Sequence, residues 1–153
     1  MSNVNSERIV NIPKIGDVFQ NNKGCLAKVI KYESHKKVTV KFLDAFGHID
    51  IFPSHRLKNG KFKNLYFPSV FDVGYVGSGE FKTSLNGIFT EEYKAWCSMM
   101  ARCYSDSFKK NELSYKECSV HKDWHNFQVF AKWYTSQKQY KLGYQLDKDI
   151  LVI

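Results

Sequence analysis

The apolar residues change their period along this chain, and that change limits the fold more than any other feature. In Lys37-Val38-Thr39-Val40-Lys41-Phe42 they alternate. An extended strand would therefore carry Val38, Val40 and Phe42 on one side and Lys37, Thr39 and Lys41 on the other. Further on, Tyr93, Trp96, Met99, Met100 and Cys103 return every three or four residues, the spacing of one helix face. A chain that switches period in this way is neither all-β nor all-α. It predicts an α+β protein with a β-rich first part and a helical second part.

The first part, residues 1–66, reads as short strands and tight turns. Gly16 to Phe19 leads into the turn signal Asn21-Asn22-Lys23-Gly24. Cys25 to Tyr32 and Lys37 to Leu43 are rich in Val, Ile, Tyr and Phe. His48 to Phe52 alternates again, with Ile49 and Ile51 opposite His48, Asp50 and Phe52, and Pro53 ends it. Such strands predict a small curled sheet or barrel. The pattern Gly24-x-x-x-x-Val29-x-x-Tyr32, followed by Val38-x-Val40-x-Phe42, resembles SH3-like or Tudor-like barrels.

Glycine and proline punctuate residues 54–88, which read as the connection between the parts. Residues 67–88 are the Gly-rich section, yet Phe67 to Gly77 is too apolar for a solvated tether and is expected to pack between the halves. Residues 89–153 read as two helices with short strands. Thr90 suits the N-cap of the first, with Glu91 and Glu92 in its first turn. Asp123 suits the N-cap of the second, which would carry Phe127, Phe130, Ala131 and Tyr134 on one face and Trp124 and Trp133 on its flanks. Lys138 to Gly143 closes that helix, and Leu146 to Ile153 fits a final strand. Trp96, Met99, Phe127 and Phe130 are expected in the core rather than at a ligand.

The net charge of +8 and the pI near 9.3 favour a polyanionic partner. The charge is spread over both halves, and no run of five like charges forms a basic tail. No stretch reaches the roughly 18 apolar residues of a membrane span, so no membrane partner is expected. Met1 to Ser6 is polar and lacks the apolar region of a secretory leader, so the expected location is cytoplasmic. In that compartment the four cysteines are expected as reduced thiols.

Cys103, Cys118, His121 and His125, with Cys97 as a further donor, make a loose zinc set. No Cys-x-x-Cys pair is present and the spacing matches no standard finger, so zinc is not expected. There is no phosphate loop, no dinucleotide motif and no local Cys/His nucleophile signature.

The most specific motifs lie at residues 93–150. They are Tyr93-x-x-Trp96-x-x-Met99-x-x-Arg102-Cys103-Tyr104, then Val120-x-x-x-Trp124-x-x-Phe127-x-x-Phe130-x-x-Trp133, then Gly143-Tyr144-Gln145-Leu146-Asp147-Lys148-Asp149-Ile150. Their order and spacing resemble the HNH homing-endonuclease-like proteins of bacteriophages. The Pro68-Ser69-Val70 to Gly79 stretch is similar to a segment that often precedes these motifs in that family.

The resemblance implies a cytoplasmic protein of an infected bacterial cell and a Mg2+-dependent nuclease core opening at Leu146-Asp147-Lys148-Asp149. A water-activating base is needed there. The general family pattern has histidine after the aspartate, whereas Lys148 is protonated at neutral pH and cannot act as base. With little sequence after Ile150, the chain is expected to be a shortened relative that lacks most of the nuclease core and has no catalytic residues of its own. Asp147 and Asp149 then read as ordinary strand-end acids.

The expected function is therefore a nuclease-derived protein that binds double-stranded DNA without cutting it and without a cofactor. Two alternatives stand beside it. One is a phage inhibitor that binds a host or bacterial defence protein. The other is an HNH-type metal-dependent DNA endonuclease completed by another chain. No clustered arginine helix is present, so DNA contact is assigned to Lys28, Lys31, Lys37 and Lys41 of the sheet and to Lys58, Lys61 and Lys63 of the following loop. Arg102 could contact phosphate, or pair with Glu117 or Asp123 across the helices.

Overall fold

The computed structural model of the chain describes residues 11–137. The expected helix closure at 138–143, the expected final strand and Asp147, Lys148 and Asp149 lie outside the described residues. Two compact units meet in sequence between Asn64 and Leu65.

The first unit is an antiparallel meander of β1 (Val18–Gln20), β2 (Leu26–Ser34), β3 (Lys37–Phe42) and β4 (Ile49–Phe52), paired in chain order. Among the described residues β1 and β4 do not pair, so the sheet is open and the expected barrel closure is not found. A short helix, α1 (Ser54–Lys58), follows Pro53.

The alternation of β3 sends Val38, Val40 and Phe42 inward. They join Ala27, Val29, Phe52, Leu57 and Phe62 in one core. Leu57 comes from α1 and Phe62 from the extended segment after it, so α1 and residues 59–64 form the layer that covers the core face.

Asn21 pins that layer to the sheet. It is buried, its side-chain oxygen accepts from the backbone N–H of Lys23 and Cys25 at 2.9 and 2.8 Å, and its amide donates to the Phe62 carbonyl at 3.0 Å. Gly60 fits the same junction at φ +68°. A Cβ there would meet the Asn22 side-chain oxygen at 2.7 Å, so both the backbone angle and the space call for glycine.

The second unit carries β5 (Ser84–Leu85) and β6 (Ile88–Phe89), a two-residue hairpin turned by Asn86-Gly87 at positive φ. α2 (Glu91–Tyr104), α3 (Asp106–Asn111), two 3-10 turns (Leu113–Tyr115 and Lys122–His125) and α4 (Phe127–Ser136) follow.

Thr90 caps α2 as expected, accepting from the Tyr93 N–H. Asp123 does not cap α4. It lies in the 3-10 turn before it, and Asn126 is the cap, its side-chain oxygen accepting from the Gln128 N–H at 2.9 Å. Asp123 and Asn126 are three residues apart and both are good caps, so composition did not choose between them. The parallel bridge between Tyr75 and Asn126 holds Asn126 at the helix start.

Trp96, Met99, Met100, Cys103, Val120, Phe127, Phe130 and Ala131 are buried in one core, with Trp124 and Trp133 packed against it. The apolar segment at 67–81 lies on this second core through Val70, Val73, Val76 and Phe81. Gln128 clamps it, donating to the Phe81 carbonyl at 2.9 Å and accepting from the Phe81 N–H at 3.0 Å. Gly74 is needed where the segment crosses α2, because a Cβ would meet Met100 and Trp96 side-chain atoms at 2.8 Å.

Candidate nucleic-acid interface

One face of the β1–β4 sheet is packed and the other is open. The register fixes what stands on the open face. Val18 of β1 pairs with Lys28 of β2, Lys28 with Lys41 of β3, and Lys41 with Ile49 of β4, giving one row across four strands. Next to it, Lys31 pairs with Thr39 and Thr39 with Ile51. A bulge between Val29 and Lys31 turns both Ile30 and Lys31 outward. Lys37 follows the alternation of Thr39 and Lys41. The structure thus brings Lys28, Lys31, Lys37 and Lys41 to one face.

These four lysines are not electrostatically equal. Lys31 forms an ion pair with Glu33 at 2.5 Å. The Lys31 hydrogen bond and charge, followed by the charge of Lys37, hold the Glu33 carboxyl below the usual carboxylate range. Glu33 therefore offsets part of the charge of both lysines. Lys28 and Lys41 have no ion-pair partner among the described residues and stand directly opposite one another. The stem of Lys41 lies along Gly47, where an added Cβ would sit 3.1 Å from its Cε. Like charges directly opposite on a sheet destabilise it unless an anion is near.

The open face is also more apolar than a solvated sheet face usually is. Val18, Leu26, Ile30, Ile49 and Ile51 are all exposed, Ile51 at 53%. The alternation of β4 was legible in the sequence, but which side faces the core was not. Phe52 is inside, and the isoleucine pair is outside.

Lys58, Lys61 and Lys63 do not extend this face. Lys61 and Lys63 alternate with buried Phe62 and Asn64, and Lys58 follows buried Leu57. All three project from the layer covering the opposite side of the sheet. Arg56 joins them there, its Nε donating to the Lys61 carbonyl at 2.9 Å. Arg56 was missed in the sequence because no helix was expected at 54–58. The available signal was that residues 51–71 contain no Asp or Glu at all.

Arg102 belongs to the second unit. It is half-buried in the last turn of α2, where the helix dipole favours a cation.

The cysteines depart from expectation. Cys103 and Cys118 are joined as a disulfide that ties α2 to the loop before Val120, with Cα atoms 4.9 Å apart. The expectation of four reduced thiols came from the assumed compartment, which says nothing about which side chains the fold brings together. Cys25 and Cys97 are free. Burial pushes the Cys97 thiol up, against a lowering hydrogen bond with Tyr93, so it is protonated at neutral pH and poorly nucleophilic.

The remaining zinc candidates are held by local partners. A ring nitrogen of His125 lies 3.1 Å from the Val120 carbonyl and 3.4 Å from the Tyr104 hydroxyl. His121 accepts from the Asp123 N–H. Among the described residues no three His, Cys, Asp or Glu side chains converge as metal ligands. No helix among these residues is long and apolar enough to cross a membrane.

Compared with protein-family models, with curated proteins and with solved structures, the chain matches none.

Proposed function

We propose that this chain binds duplex DNA through the open face of the β1–β4 sheet, largely without regard to sequence and without cutting it. The observation that carries the reading is the uncompensated Lys28–Lys41 pair at the centre of that face. A phosphate above the pair would turn a repulsion within the fold into two favourable contacts. Lys31, Thr39 and Lys37 continue along the same face, with Glu33 offsetting part of the lysine charge, and the net charge of +8 adds long-range attraction. The reading of no catalysis rests on Lys148, which stands where the general HNH family pattern has the water-activating histidine.

The exposed Ile49 and Ile51 support a second reading, in which an acidic partner protein, such as a bacterial defence factor, covers the same face.

Salt dependence separates the two. A labelled duplex of about 20 base pairs is titrated with the protein over a series of salt concentrations. DNA binding predicts a steep linear fall of log affinity with log salt. Replacing Lys28 and Lys41 together by Glu should weaken binding to unrelated duplexes alike and reduce the slope by about 2. Unchanged affinity in this variant, or no duplex binding at low salt, overturns the DNA reading.

A further inference from the structure

The first unit has two basic surfaces, and they face away from each other. One is the open sheet face with Lys28 and Lys41. The other lies on the layer over the core face, where Arg56, Lys58, Lys61 and Lys63 project within eight residues of each other. One carboxylate reaches the end of this second surface, that of Asp44, which accepts from the Asn64 amide at 2.6 Å. The segment that carries it has no acidic residue from 51 to 71, and none of its four cations has an ion-pair partner among the described residues.

The second surface is also held in shape. Phe62 is locked into the core between Phe42 and Phe52, with ring centroids 6.0 and 5.5 Å away. The Asn21 amide fixes the Phe62 carbonyl, and the Asn22 N–H donates to the Gly60 carbonyl at 3.0 Å. Lys61 and Lys63 therefore emerge exposed from a pinned segment in which they alternate with buried Phe62 and Asn64. The Arg56 hydrogen bond to the Lys61 carbonyl ties the helix cation to the same segment.

A single duplex cannot serve both surfaces. A sheet and its covering layer are about 10 Å thick before side chains are added, and duplex DNA has a persistence length of about 150 base pairs. Reversing its direction around a module of this size would take a bend sharper than those that contacts on two small faces can repay.

We propose that Arg56, Lys58, Lys61 and Lys63 form a second phosphate-binding surface, so that one molecule joins two DNA duplexes. The proposal rests on the DNA-binding reading above and adds a second, opposed site to it.

The test uses the full chain, a duplex fixed to beads and a second, fluorescent duplex in solution. The native protein should carry the fluorescent duplex onto the beads. Capture should rise and then fall as protein is added in excess, because each duplex is then saturated by separate molecules. A variant with Arg56, Lys58, Lys61 and Lys63 replaced by Gln keeps a net charge of about +4 and should still bind a single duplex, but at matched occupancy of the bead-bound duplex it should capture at least tenfold less fluorescent duplex. The milder K58Q/K61Q variant, with circular dichroism as a check on folding, should reduce capture in the same direction.

Single-duplex binding with no capture by the native protein overturns the second surface and leaves the first reading standing. Capture that persists in the four-residue variant also overturns it, since self-association through another surface would then account for bridging. Failure to bind any duplex overturns both.

Discussion

Lys28 of β2 and Lys41 of β3 are cross-strand partners, directly opposite on the open face of the sheet and with no ion-pair partner among the described residues. The pair sets stability against binding, and this gives a test that does not depend on knowing the ligand. Lys41→Glu should stabilise the fold by about 0.2–1 kcal/mol at low salt, because a repelling pair becomes an attracting one. It should weaken duplex binding at the same time. Urea midpoints and duplex affinities measured on one preparation check both, and a variant less stable than the native chain would contradict the reading of the register.

Trp96 organises the second core. Its ring is fully buried and its indole N–H donates to the Trp124 carbonyl at 2.8 Å, joining α2 to the turn before α4. Trp96→Ala should cost about 3–5 kcal/mol. Trp96→Phe keeps most of the packing but leaves the Trp124 carbonyl without that donor, so a smaller loss of about 1–3 kcal/mol is expected. Thermal melts of the two variants give the order. A fully stable Trp96→Ala protein that has lost only binding would make the ring a contact residue.

The Cys103–Cys118 bridge spans 15 residues. Closing a loop of that length stabilises by about 3 kcal/mol through the unfolded chain. Reductant, or replacement of both cysteines by Ala, should lower the melting point by a matching amount, while a metal chelator should leave it unchanged. A large loss with chelator, together with about one zinc per chain, would instead make these thiols and His121 or His125 metal ligands.

Burial, helped by a hydrogen bond with Cys97, pushes the Tyr93 phenol up to about 12. In the unfolded chain it ionises near 10. Below that value its contribution to stability is fully present. Between the two values the unfolded state gives up the proton first, so stability falls as the pH rises. Tyr93→Phe should flatten this fall, seen as a smaller drop in urea midpoint from pH 9 to pH 11.5.

Supercoiled plasmid incubated with the protein and Mg2+ or Mn2+ should stay uncut, because Lys148 stands where the general HNH pattern has histidine and an ordinary lysine is a poor base at neutral pH. Nicking that disappears in Asp147→Ala would reverse this expectation and establish a metal-dependent endonuclease.

The sequence by itself determined the elements whose signal is local. The alternation at 37–42 placed β3 and its inward face, and the three-to-four spacing from Tyr93 placed α2 with Thr90 as its cap. Strand pleat and helix pitch act within a few residues, so spacing alone reveals them. Tertiary structure decided what depends on distant partners. Asn126, not Asp123, caps α4 because Tyr75 pairs with it from 51 positions away. Cys103 and Cys118 meet because the chain folds back after α3. The lysines divide the same way. Period two put Lys37 and Lys41 on one side of a strand, but only pairing set Lys28 against Lys41. Only the burial of Leu57 and Phe62 carried Lys58, Lys61 and Lys63 to the opposite side. A charge pattern in sequence has no direction in space until the core chooses which face it covers.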